Sequence, residues 1–185
     1  LCLKPLSSWY KDLIQRVETI DNWLRNGNPA SYWLSGMYFP QGFMTGVLQT
    51  HARLHTIAID KLAFSFEIMD YEGFEDVEEK PQDGVYIHGL FVDAARWNRE
   101  TLALDEQEPG VLFDTMPVLC FKPVEDYKPN PEEYQAPLYK AANREGKLNT
   151  TGQSTNFIEH VACQTTAAPA HWTMRGAALL CMLSD

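Results

Sequence analysis

Residues 84–97, Gly-Val-Tyr-Ile-His-Gly-Leu-Phe-Val-Asp-Ala-Ala-Arg-Trp, constrain the fold more than any other stretch, because they read as a strand that is apolar on both faces. Val85, Ile87 and Phe91 alternate with Tyr86, His88, Leu90 and Val92, so His88 alone brings strong polarity to the run. Such a strand has to be covered on two sides. Gly89 interrupts it where a bend, a bulge or a close backbone approach is expected, and Arg96-Trp97 places a cation beside a flat ring where the apolar pattern stops.

The chain of 185 residues is 45% hydrophobic, enough to bury about 70% of the surface it exposes when unfolded, which implies one or two compact units. No apolar run approaches the ~20 residues of a membrane-spanning helix, and the opening residues are too short for a signal peptide, so no membrane partner is expected. The start at Leu1, without methionine, leads us to expect a piece of a longer protein. Cys2, Cys120, Cys163 and Cys181 have no C-x-x-C spacing and read as buried, reduced thiols rather than a disulfide framework. Asn149-Thr150-Thr151 is a formal glycosylation sequon that matters only in a secreted protein. The net charge of -10 is concentrated in the middle, where residues 61–135 carry six Lys/Arg against eighteen Asp/Glu. An acidic face of this kind argues against docking on nucleic acid or another acidic polymer, and reads as a solvated surface or one for a basic partner.

Trp9, Leu13, Val17, Ile20 and Leu24 form one stripe of an amphipathic helix, with Ser7 or Ser8 as cap, acid-before-base pairs Asp12/Arg16 and Asp21/Arg25 on the solvent side, and a stop at Gly27 and Pro29. An aromatic connector, residues 32–39, leads to Pro40, which fits the first turn of a second helix ending near His55 with Phe43, Val47 and Leu54 on its buried side. Gly42 and Gly46 within that helix predict close packing against a neighbour. After Asp60 the period changes to two, and strands are expected near 62–69, 84–92, 117–122, 136–141, 155–163 and 175–183. The predicted fold is α+β: a helical subdomain over 1–58, then a roughly six-stranded, closed or nearly closed antiparallel β-barrel over 59–185, without intervening helices.

Chemical motifs are few. His51 and His55 at i,i+4 could share a metal, but Ala52 stands where a zinc-protease helix has its glutamate, so no metal ligand is assigned unless a third ligand lies nearby. Gly152-Gln153-Ser154-Thr155-Asn156 lacks the second glycine of a nucleophile elbow, which makes Ser154 a turn hydroxyl. Gly146-Lys147 lacks both the preceding glycine and the following Ser or Thr of a phosphate loop. Acid pairs such as Asp105 and Glu106 lie in charge-dense loops where water screens them, so no catalytic residue is assigned. Trp33, Tyr38, Phe39, Trp97 and Trp172 could stack a neutral ligand if exposed, and core packing is the other reading.

Four segments together resemble the C-terminal domain of dynein heavy chains, particularly axonemal ones. They are Tyr32-Trp33-Leu34-Ser35-Gly36-Met37-Tyr38-Phe39-Pro40-Gln41-Gly42-Phe43; residues 84–97 with their Ala-Arg-Trp ending; Tyr139-Lys140 with Arg144, Gly146, Leu148 and Thr151 to Phe157; and His171-Trp172-Thr173-Met174-Arg175-Gly176 through Leu179-Leu180. The Tyr86-Ile87-His88-Gly89-Leu90-Phe91 form resembles ciliary members and implies the axoneme of a cilium or flagellum, within the cytoskeleton. The resemblance implies a non-catalytic structural and regulatory domain lying across the ATPase (AAA+) ring upstream in the same polypeptide, with other dynein subunits as further partners. ATP and magnesium belong on that view to the ring, with no cofactor here and no direct contact with microtubule or nucleic acid. Trp33, Phe39, His88, Gly89, Arg96, Trp97, Trp172 and Arg175 are the candidate interface or structural positions. Two rivals stand beside it: a free-standing barrel binding a small neutral ligand through Trp97 and Trp172, and a His51/His55 metalloenzyme.

Overall fold

A computed structural model describes residues 5–71, 73–148, 150, 152 and 154–183. Cys2, Asn149, Thr151 and Gln153, on which some expectations rested, lie outside the described residues.

The first helix, α1 (Leu6–Asn26), ends at Gly27, whose φ of 82° suits a residue without a Cβ. Its start differs from expectation: Pro5 occupies the cap position without a side-chain bond, and Ser7 and Ser8 lie inside the helix. A short strand β1 (Ser31–Trp33) and one 3₁₀ turn lead to α2 (Pro40–His55), whose bounds agree with the sequence reading because Pro40 pre-sets its first turn and Thr56 closes it in the left-handed region. Met44 and Ala52 are buried on α2, while Leu54, expected inside, is 76% exposed. Gly42 faces the Phe39 ring, but nothing lies within 4 Å of a Cβ built on Gly46, so the packing demand expected there is absent.

Ten further strands follow among the described residues: β2 (Leu62–Ile68), β3 (Val85–His88), β4 (Phe91–Asp93), β5 (Arg96–Asn98), β6 (Ala103–Asp105), β7 (Phe113–Thr115), β8 (Leu119–Glu125), β9 (Tyr134–Ala141), β10 (Phe157–Cys163) and β11 (Ala178–Met182). Helix α3 (Pro169–Arg175) separates the last two. One sheet has the order β1-β3-β8-β2, a second β10-β9-β11-β4-β7, and β5 and β6 form a separate hairpin.

The α+β class holds, but the closed antiparallel barrel does not. Among the described residues the sheets are open and mixed: β1 runs parallel to β3, with Tyr32 opposite Ile87, and β11 runs parallel to β9, with Leu179 opposite Leu138. Parallel neighbours need a crossover connection, and α2 and α3 lie in the connections that supply them. The antiparallel expectation missed α3, although Pro169 opens it and Gly176, at φ 70°, closes it.

The long strand expected at 84–92 is two strands in different sheets. The polypeptide leaves the first sheet at His88, turns through Gly89 at φ 82°, and enters the second at Phe91. Residues 116–118 make the opposite passage from β7 to β8, and the two turns are tied by the Met116 amide donating to the Leu90 carbonyl at 2.9 Å. Strands that change sheets at bends make corners between packed layers. The space between is filled by one cluster that joins Leu34 and Met44 to Phe64, Ile87, Leu90, Phe121, Leu138, Leu179 and Trp172. Both the β1–β3 pairing and this cluster cross the expected 58/59 seam.

Trp172 is fully buried on α3, and its indole N–H donates to Thr165 Oγ1. Trp172→Ala is therefore expected to lower unfolding free energy by about 3–5 kcal/mol, read from denaturant melts of the 185-residue protein. A change within about 0.5 kcal/mol, the range of a surface substitution, would show that α3 does not carry the core.

Candidate functional site

The corner at Gly89 gathers three of the candidate residues. A Cβ on Gly89 would run into the Trp33 indole, so this position requires glycine for space as well as for its positive φ. The Ser35 hydroxyl donates to the Gly89 carbonyl, which satisfies the backbone where the strand breaks. Next to it, His88 Nδ1 lies 2.7 Å from Ser31 Oγ, and its ring stacks on Phe74 at 4.1 Å and 9°. Burial pushes the His88 pKa from 6.5 down to about 4, because the charged form loses water and gains no carboxylate. Ser31, Trp33, Phe74, His88 and Gly89 line a cleft of about 1170 Å³ between α1 and the corner.

Arg96 and Trp97 follow on the β5–β6 hairpin. Arg96 pairs with Asp105 at 3.0 Å and Glu108 at 2.8 Å, and the Trp97 amide donates to Asp114 Oδ2 at 3.2 Å. Trp97 is 6% exposed and Trp172 fully buried, so neither ring presents a face to a ligand. That removes the contact on which the neutral-ligand reading rested. Arg175, at the end of α3, pairs with Glu106, which also takes His171 Nε2 at 2.8 Å. Phe39 is 60% exposed, with its ring lying over Gly42. Trp33, His88 and Gly89 thus share one place, while Arg96 with Trp97, Trp172 with Arg175, and Phe39 sit in three others.

Nucleophilic chemistry has little support in these surroundings. Burial raises the thiols of Cys120, Cys163 and Cys181 to about 11, 12 and 12, far from the thiolate a nucleophile needs. Ser154 Oγ accepts from the amides of Asn156 and Phe157 at 3.2 and 3.1 Å, the turn role expected of it. The buried Asn156 then closes its loop, donating to the Glu145 carbonyl and accepting from the Ala141 amide, both at 2.9 Å. Arg144, quoted only for the resemblance, reaches Asp93 at 2.5 Å and the Gly176 carbonyl at 2.7 Å, tying β4 to the end of α3. Among the described residues one group can offer three metal donors: His51, His55 and Asp83. The sequence reading missed Asp83, which sits 28 residues beyond His55 in a Pro-Gln-Asp-Gly turn with no metal-site spacing.

An exposed apolar surface lies on α1. Asp12, Arg16, Thr19 and Trp23 run along its partly buried face: Arg16 lies over the Trp33 and Tyr38 rings at 5.4 and 5.6 Å, and Trp23 meets Tyr32 edge-on at 5.1 Å. The apolar stripe that defined the helix in the sequence lies one residue further on, roughly 100° round the axis. Of that stripe Leu13 is half-buried beside Asp12. Trp9, Val17, Ile20 and Leu24 are exposed, together with Leu6, the two end leucines by 79% and 80%. No residue of α1 is buried.

The His88 environment sets a pH dependence. A histidine whose pKa is lower folded than unfolded favours folding above its unfolded pKa, and that contribution is lost as pH falls toward the folded value. Stability should therefore decline between pH 6.5 and about 4 more steeply for the native protein than for His88→Gln. Parallel slopes of the two in pH-resolved unfolding would show that His88 titrates alike in the folded and unfolded states.

The family model for the C-terminal domain of the dynein heavy chain matches residues 1–181. Over 99% of its length this protein is 42% identical to human (Homo sapiens) dynein axonemal heavy chain 6, and over 99% it is 44% identical to human dynein axonemal heavy chain 12. It is 43% identical to human dynein axonemal heavy chain 1 over 98% of its length. It spans 5%, 6% and 4% of these three relatives respectively. The four segments that carried the resemblance thus lie within a match over nearly the whole sequence, and the protein belongs to the family of C-terminal domains of dynein heavy chains.

Proposed function

We propose that this domain is a non-catalytic structural and regulatory element of an axonemal dynein motor, working in the axoneme of a cilium or flagellum. It packs on the AAA+ ring of its own polypeptide through the exposed apolar stripe of α1, whose end at Ile20 and Leu24 also rims the cleft, and modulates microtubule-based motility, while nucleotide and magnesium are handled by the ring. The carrying observation is that α1 docks on its own domain by the face of Asp12, Arg16, Thr19 and Trp23 and leaves most of its apolar stripe in solvent. A contiguous apolar face of that length on a helix marks an interaction surface, and the ring is the partner that the family supplies. The candidate positions divide accordingly. Gly89, Trp97 and Trp172 hold the shape of the domain, while Phe39, at 60% exposed, and Arg175, with its side chain 40% exposed, are open to a partner.

Val17→Glu and Leu24→Glu test this directly, since both side chains are exposed, by 58% and 80%. Each should leave the melting of the isolated domain within about 0.5 kcal/mol of native. Each should change ATPase output or microtubule gliding of the complete motor, and the isolated domain should neither bind nor turn over ATP. Unchanged motor behaviour with both substitutions would overturn the docking face, and micromolar ATP affinity with turnover by the isolated domain would overturn the non-catalytic reading.

A further inference from the structure

His51 and His55 share one face of the last two turns of α2, with ring centroids 4.3 Å apart and planes inclined by 38°. Asp83, from the turn before β3, places Oδ1 2.9 Å from His51 Nδ1. One donor atom from each of the three lies within 4.8 Å of the other two. In a tetrahedral zinc site, with bonds of about 2.0–2.2 Å, donors stand roughly 3.3–3.6 Å apart, so a separation of up to 4.8 Å closes by about an ångström while the His51 Nδ1–Asp83 Oδ1 pair, at 2.9 Å, parts by about half of that.

We propose that His51, His55 and Asp83 form a zinc-class cation site that clamps the end of α2 to the turn entering β3. Two imidazoles and one carboxylate suit zinc and its late first-row neighbours, and are a poor match to magnesium or calcium, which take oxygen ligands. Both halves of the site are anchored independently of a metal. Ala52 is buried between the two histidines, and the Thr56 amide caps the helix on the Ala52 carbonyl. Asp83 is held by Gly84, whose φ of 81° and close approach to the Phe121 and Lys122 backbone leave no room for a Cβ.

Access is open. The His51 side chain is 11% exposed, Asp83 34%, and His55 sits at the surface, beside a cleft of about 510 Å³. The protein supplies three ligands and leaves a fourth position for water or a further donor. Ala52 stands where a hydrolytic zinc helix carries its glutamate, so the site is a clamp and not a peptidase centre. Lys80 lines the same cleft and its charge opposes a bound cation, which places the expected affinity at micromolar rather than nanomolar.

The test is titration of the EDTA-treated 185-residue protein with zinc chloride by calorimetry, with cobalt(II) absorption as the readout of coordination geometry. One equivalent should bind with a dissociation constant on the order of 1 µM, and saturating zinc should raise the melting temperature. His55→Ala, on a surface side chain, and Asp83→Asn should each weaken binding by at least about 10–100-fold, the usual cost of disturbing even an outer partner of a ligand. Matching far-ultraviolet circular dichroism of the variants establishes that they are folded. No binding at about 100 µM zinc overturns the proposal, as does undiminished affinity in either variant. This result is independent of whether α1 docks on the ring.

Discussion

The architecture depends on one backbone event, the passage of an apolar segment from one sheet to the other at Gly89. Residues on either side belong to different layers: Ile87 pairs opposite Leu119 in the first sheet, and Val92 opposite Leu179 in the second. A positive φ makes the turn, the Trp33 indole closes over it, and the Met116 amide on the Leu90 carbonyl locks the returning segment to it. Without that corner the segment would be one straight strand with two apolar faces, and two separate layers would be needed to cover it. With it, a single segment contributes to both layers, and Leu90, 1% exposed, sits where they meet.

The corner also determines what is left over for partners. Trp33, held over Gly89, also meets Arg16, and α1 rests on the domain through that guanidinium on aromatic rings and through Trp23 against Tyr32 and Phe43. Cation–π contacts at partly exposed sites contribute about 0.5–1 kcal/mol, less than burial of one large aliphatic side chain. Trp9, Val17, Ile20 and Leu24 of the apolar stripe stay exposed.

Much of the layout was legible in the residues themselves. Alternation located β2, and Pro40 marked the first turn of α2, because both signals are local. Strands of three residues, such as β1, β5, β6 and β7, are too short to show a period, and their pairing is a property of the folded state. The parallel neighbours were missed for the same reason, since nothing local relates Ser31 to Tyr86. The helical stripe at Trp9, Leu13, Val17, Ile20 and Leu24 was read correctly as amphipathic, but Asp12 and Arg16, expected on the solvent side, lie on the partly buried face and most of the stripe is exposed, because amphipathicity does not say which neighbour either side meets. At the candidate metal site, the histidine pair was visible by spacing and Asp83 was not, because its approach is set by Gly84 against Phe121.

The position of β11 has a consequence for how the protein is made. It follows every other described strand in sequence, yet it lies in the middle of the five-stranded sheet, with β9 on one side and β4 on the other. A ribosome therefore releases both flanking strands before the strand that joins them exists, and until residues 178–182 emerge the second sheet consists of two unconnected halves with open inner edges. Translation that stops short of this strand does not trim a tail but removes the keel of the sheet. Closure of the second layer waits on these five residues, so an unfinished product exposes unpaired edges that chaperones and proteases can recognise.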